Sequence, residues 1–321
     1  VICFGVGSTL HAASLHPVER LELVDISRHV LSHARFFEKT NRGVIDDPAL
    51  KVYVNDGRNH LWMQPEEKYD LITMEPPPIA FAGVSALYSR DFYELVRSRL
   101  SPEGYFTHWL PAYQVPEEVT RSMIRAFVDV FPEAVLLSGH ESEFILVGKR
   151  GPITFDPTLA RKIARQRPAV MADLRRIDLG SVTEIVGTYV ASADTLRAAT
   201  DGVSPVTDDW PIMEYAIQSL AFETRLPDDI FDPGSVASFC PRCFLPDGTP
   251  SAHAPEVDSY LAVLMGLYRS EAFLVKRNHG GGQPLGTALM PAGLTPQSDV
   301  VRRHGYLRSI VGGGWQPAPN R

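Results

Sequence analysis

The stretch ICFGVGSTLHAASL, residues 2–15, decides the fold. Its short apolar run reaches Gly5-Val6-Gly7-Ser8-Thr9, and the chain then turns helical. The pattern predicts a buried parallel strand running into a glycine turn and a helix N-terminus. Glycines at 5 and 7 let the backbone come close to a ligand, and a helix start offers free N–H groups. A nucleotide-like ligand is the natural occupant. Tight strand-to-helix packing is the plainer alternative for the same two glycines.

Working outward, strands alternate with helices at regular spacing. Arg20–Val24 reads as a second strand, closed by Asp25-Ile26-Ser27. Arg28–Lys39 then carries apolar Val30, Leu31, Ala34 and Phe37 on one helical stripe, with Ser27 as its N-cap. Lys51–Val54 is a third strand leading into Asp56-Gly57, and Tyr69–Met74 a fourth leading into Glu75 and three prolines. Ser89 caps a helix bearing Phe92, Leu95, Val96 and Leu100. A turn at Pro102-Glu103-Gly104 gives a fifth strand, Tyr105–Leu110, and Pro116 opens a helix with Val119, Met123, Ile124, Phe127 and Val128 on one face. Two more strands follow, near Ala134–Leu137 and Phe144–Gly148. Only His140–Glu143 separates them, too little for a crossover helix, so they pair antiparallel. The expectation is a doubly wound, mostly parallel seven-stranded α/β sheet of the class I methyltransferase-like Rossmann type.

Residues 1–150 make up this ligand-binding domain. Residues 151–225 are expected to be a helical extension broken by Pro168 and Gly180. Residues 226–321 are expected to be irregular, with one helix over Ser259–Val275 and a disordered tail over 277–321.

Bulk properties bound the function. The 321 residues are 44% hydrophobic and 21% charged, with net charge -7, so nothing offers a phosphate-backbone footprint and nucleic acid is not an expected partner. The three cysteines are too few for a disulfide framework and fit a reducing, cytoplasmic setting. Cys240-Pro-Arg-Cys243 is a lone C-x-x-C, and no metal is expected. No stretch approaches the roughly 18 apolar residues of a membrane span. Because the chain opens at Val1, in mid-strand, an upstream part is expected, and any membrane tether would belong to it.

In an open α/β sheet the ligand lies beyond the carboxyl ends of the strands. The glycine turn, Asp25, Asp56-Gly57 and Glu75 all fall there. A carboxylate at 25 suits a ribose diol, with Ile26 beside it, and a short acid at 56 suits an adenine amino group. Glu75 stands beside the reaction centre. Any single acid at a strand end can equally be a helix cap. Together they fit a nucleoside-sulfonium ligand such as S-adenosylmethionine better than NAD, because GVGSTL lacks the third glycine of G-x-G-x-x-G.

YDLIT at 69–73, the acidic strand end, the proline loop and LYSRDFYELVRSRLSPEG at 87–104 resemble the polyamine aminopropyltransferases, or spermidine synthases. EPPPIAFAGVSALYS, HWLPAYQ and PVTDDWPIMEY are more similar to the spermidine-synthase-like branch that is often fused to membrane-transporter helices. The resemblance implies aminopropyl transfer from decarboxylated S-adenosylmethionine to a polyamine such as putrescine, in a chain that could form a homodimer. It implies Gly5, Gly7, Ser8, Asp25, Ile26, Asp56 and Gly57 at the co-substrate, and Glu75, Tyr88 and His108 at the reaction centre. Tyr88 can equally pack beneath the loop, and His108 reads more readily as a satisfied near-core histidine. Methyl transfer from S-adenosylmethionine and an inactive nucleoside-binding regulatory domain are the rival readings. The chain departs from the family in its loop after Glu75. Two acids there hold and deprotonate the amine in that family; here prolines follow a single acid. Asp208, Asp209 and Glu214 are expected either to return over the cleft or to form a turn.

Overall fold

The computed structural model describes residues 1–216 and 227–230, apart from 67, 140–142, 154, 182–184, 186 and 187. Among the described residues the strands are β1 (Leu21–Asp25), β2 (Leu50–Val54), β3 (Tyr69–Met74), β4 (Leu100–Leu110), β5 (Val135–Ser138), β6 (Phe144–Lys149) and β7 (Tyr189–Ala191). The helices that matter below are α1 (Ser8–Ser14), α2 (Arg28–Ser32), α3 (Glu38–Asn41), α4 (Gly57–Trp62), α5 (Arg90–Arg99) and α6 (Glu117–Val130). They are followed by α7 (Pro157–Gln166), α8 (Pro168–Arg175), α9 (Ala193–Ala199) and α10 (Ile212–Ala216).

Two sheets, β1-β2 and β3-β4-β6-β5-β7, are stitched together by Ile2, which bridges Val24 on one side and Met74 on the other, both parallel. The expected first strand is reduced to that bridge. Cys3 and Gly5 have φ of 69° and 55°, which turn the backbone out of the extended region after one residue. The backbone bonds of a strand survive locally: Ile2 N donates to Thr73 O and Cys3 N to Val24 O, each at 2.9 Å. Below Ile2 a cavity of about 650 Å³ opens between the amino-terminal halves of β1 and β3, at the opposite end of the strands from the glycine turn.

The sheet is mixed rather than mostly parallel. β1-β2 and β3-β4 run parallel, whereas β4-β6, β5-β6 and β5-β7 run antiparallel. The antiparallel β5-β6 hairpin is the expected one. β7 was not expected; it comes from the extension read as helical, whose other described elements include α7, α8 and α9. The stretch expected as a turn before the fifth strand is a bulge within β4, where pairing jumps from Tyr69↔Leu100 to Leu71↔Tyr105.

The single helix expected over 28–39 is broken into α2, a 3-10 turn at Ala34–Phe37 and α3. Ser27 does cap it, accepting from Val30 N at 3.3 Å, but Ala34 alone of the expected stripe is buried. The strong helices are α5, capped by Ser89 Oγ on Phe92 N at 3.1 Å, and α6. Both pack on one face of β3-β4-β6, closing an aromatic core of Phe92, Tyr93, Phe106, Phe127 and Phe131, all fully buried. The Ser259–Val275 helix, the tail over 277–321 and the Cys240/Cys243 pair lie outside the described residues.

Candidate active site

The glycine turn is built by three separate constraints. Gly7 has φ +85°, and a Cβ there would lie 2.5 Å from the Phe4 ring and 2.8 Å from Asn41 Cβ, so packing demands glycine. Gly5 has φ +55° with nothing within 4 Å of an added Cβ, so open space lies above it. Asn41, fully buried, donates to Val6 O at 3.0 Å and Ala34 O at 2.9 Å and clamps the turn from behind. Ser8 is exposed at the start of α1. Gly57 is a packing glycine, since a Cβ would meet Ile2 Cγ2 at 2.4 Å.

Asp25 is buried, and both its oxygens accept backbone amides: Oδ2 from Phe4 N at 2.8 Å and Oδ1 from Ser27 N at 2.7 Å. It therefore bolts the glycine turn to the end of β1. Each carboxylate oxygen has a second lone pair, so a ribose hydroxyl can still donate to it. Ile26 beside it is 70% exposed, a bare apolar surface suited to a purine face. Asp56 caps α4 through Asn59 N at 2.8 Å.

The acids converge on one place. The Cys3 thiol is pushed up to about 12, by burial first and then by Asp25, Asp56 and Glu75. Three carboxylates from three different strand ends thus lie within electrostatic reach of one sulfur at the turn. Glu75 opens to solvent on one side, yet its carboxyl is held above the usual range, by burial first and by the charge of Glu143 second. The Thr9 hydroxyl, 3.4 Å away on α1, opposes that shift.

Tyr88 and His108 do not line the site. Both are fully buried and their rings stack with centroids 4.3 Å apart. Tyr88 Oη donates to Trp109 O at 3.1 Å, and His108 Nδ1 pairs with Tyr93 Oη at 3.0 Å. Burial alone drives the His108 pKa down to about 3, so it is a neutral core imidazole. Its Nε2 has no hydrogen-bond partner among the described residues.

Sequence reasoning missed several contacts. Asp208 forms a forked pair with Arg58, at 2.7 and 2.5 Å, and accepts from Ser89 Oγ at 2.8 Å. The Arg58 guanidinium holds its carboxyl below the usual range. Glu214 accepts from Gly83 N at 3.1 Å and Ser85 Oγ at 2.7 Å, tying down the loop after β3. Glu143 accepts the Trp109 indole N–H. All three are pairings across 34 to 150 residues, for which local sequence carries no signal.

Residues 1–138 match the family model described as the spermine/spermidine synthase domain. The chain is 35% identical over 107 residues to polyamine aminopropyltransferase 2 of Pseudomonas aeruginosa, covering 32% of this chain and 30% of that one. It is 30% identical over 105 residues to the polyamine aminopropyltransferase of Aeropyrum pernix, covering 32% and 33%. The matched part therefore spans about a third of the length of these relatives. The solved spermidine synthase of Thermotoga maritima is similar with a TM-score of 0.42 and 22% identity, covering 50% of this chain and 57% of that one. The matched residues include the glycine turn and every acid that converges on Cys3. No described helix is long and apolar enough to cross a membrane.

Proposed function

We infer that this domain transfers an aminopropyl group from decarboxylated S-adenosylmethionine to a polyamine such as putrescine. The match of residues 1–138 to the spermine/spermidine synthase domain carries the reading. The convergence of Asp25, Asp56 and Glu75 on Cys3, two residues before the open Gly5, supports it. Gly5, Gly7 and Ser8 would receive the sulfonium end, Asp25 and Ile26 the ribose and adenine, and Asp56 with Gly57 the far edge of the purine.

The reaction is an in-line displacement. The amine nitrogen donates its lone pair to the aminopropyl carbon, and the C–S bond breaks with its electrons staying on sulfur. Methylthioadenosine leaves neutral, and the new ammonium sheds its proton. Proximity supplies most of the acceleration, and a positioned base supplies the rest. Glu75, with its proton affinity raised by its surroundings, suits the base. The prolines behind it hold that strand end rigid.

The test incubates the protein with decarboxylated S-adenosylmethionine and a panel of amines and follows methylthioadenosine release. Release with a diamine is expected. The single acid of the proline loop keeps methyl transfer and an inactive nucleoside-binding domain as rivals. Production of S-adenosylhomocysteine from S-adenosylmethionine, with no methylthioadenosine from the decarboxylated compound, would replace this reading with methyl transfer.

A further inference from the structure

A diamine poses two problems at once. Its attacking nitrogen must become neutral, while its other nitrogen stays an ammonium. A carboxylate that stabilises an ammonium also resists its deprotonation. The two jobs call for two acids, and the loop after β3 offers one.

The strand register supplies another. In the parallel β3-β4 pair Met74 lies opposite His108, so the next residues along, Glu75 and Trp109, share the other face. In the antiparallel β4-β6 pair Trp109 lies opposite Ile145. Two residues before Ile145, Glu143 keeps the same parity. Glu75, just past the end of β3, thus stands level with Trp109, and Glu143, just before β6, stands diagonal to Trp109 one same-face step further along, all at the end where the glycine turn lies. The contacts agree: the Trp109 indole N–H is given to Glu143 Oε2, and Thr73 and Thr107, on the same face one step in, bond through their hydroxyls at 2.8 Å. His108 faces the opposite way, into the aromatic core.

We propose that Glu143 is the second amine-recognising carboxylate of this domain, holding the distal ammonium of a diamine whose nearer nitrogen meets Glu75. Trp109 is its positioning residue. The indole N–H occupies one carboxylate oxygen and fixes its direction, and the ring supplies an apolar wall for the methylenes between the two nitrogens. The charge of Glu143 is felt at Glu75, which agrees with the two carboxylates addressing one ligand. The acid missing from the loop is thereby supplied from the β5–β6 connection. The inference rests on the amine-transfer reading and specifies its substrate class: an amine with two cationic ends.

The experiment compares wild type, Glu143→Gln and Trp109→Phe against 1,4-diaminobutane and n-butylamine, which lacks the distal ammonium. Two readouts are taken. One is the split of kcat and KM for methylthioadenosine release. The other is calorimetric amine binding to protein saturated with methylthioadenosine, which requires no turnover. Glu143→Gln is expected to raise the diamine KM and Kd by about tenfold or more, with a smaller change in kcat and none toward n-butylamine. Trp109→Phe should move the diamine in the same direction by less. Unchanged diamine affinity in Glu143→Gln, or equal losses for both amines, overturns the assignment, as does a wild type that binds no diamine. If wild type binds the diamine but releases no methylthioadenosine, the transfer reading falls while the binding comparison still decides Glu143. Should Glu143→Gln fail to fold, Trp109→Phe decides by the same criterion.

Discussion

His108 and Trp109 are neighbours in sequence and opposites in the molecule. His108 is fully buried, stacked on Tyr88 and bonded to Tyr93, with its pKa lowered to about 3. Trp109 points through the other side of β4 and meets Glu143. One face of β3-β4-β6 is a sealed aromatic core; the other carries Glu75, Trp109 and Glu143. Residue chemistry left the histidine two roles, lining the site or filling the core. The two-residue period of the strand gave it to the core, where an imidazole serves as a flat packing unit with one nitrogen unpartnered among the described residues. A polar side chain at a strand end acquires a role from the face it shares, and only then from its own reactivity.

The sharpest way to break this contrast is Glu75→Gln. If the open face does the chemistry, transfer should fall by about 10²-fold or more, as for loss of a general base, with methylthioadenosine affinity nearly unchanged. A variant retaining full turnover would move the reaction centre elsewhere. The two glycines of the turn extend the comparison. Gly7→Ala should destabilise by about 3 kcal/mol, because it adds a left-handed strain to a clash with Phe4 and Asn41. Gly5→Ala, open on its outer side, should cost only about 1 kcal/mol of stability yet weaken adenosyl-ligand binding. Chemical denaturation and calorimetry on the two variants separate the effects; equal stability losses would erase the distinction between a packing glycine and a ligand-facing one.

The smallest effect is a pH signature with opposite signs on the two faces. His108 stays neutral in the fold down to about pH 3, whereas the unfolded imidazole takes up its proton near 6.5. Its contribution is therefore complete above pH 6.5 and is lost as pH falls through that window, by about 2 kcal/mol between pH 7 and pH 5. Glu75 has a raised pKa, so its contribution is present below the ordinary value of 4.5 and fades as pH rises through its folded value. Denaturation curves should show His108→Phe losing less stability than wild type on acidification. They should also show Glu75→Gln gaining on wild type at neutral pH. Parallel acid limbs for wild type and His108→Phe would place the histidine in water rather than in the core.

Much of the fold was legible because its signals are local. Ser27 and Ser89 were recognisable as caps, since a hydroxyl before an apolar helical stripe has a donor three residues on. The short connection before Phe144 forced β5 and β6 antiparallel. Strand β7 escaped because Tyr189–Ala191 is too short to show alternation; it forms by completing the edge of β5.

The amino-acid sequence by itself determined the glycine turn and helix start within residues 2–15, the α/β class, and the acids at or just past the ends of β1, β2 and β3, because these depend on neighbours within one turn or one strand. Tertiary structure alone decided what those acids do. It spent both oxygens of Asp25 on the backbone of Phe4 and Ser27 and sent Asp208 to Arg58. It sealed His108 and Tyr88 away and set Glu143 beside Trp109 on the face of Glu75. The physical reason is register. Shifting one strand by a single residue exchanges its two faces, and register is settled by packing across the whole sheet rather than by any local run of residues.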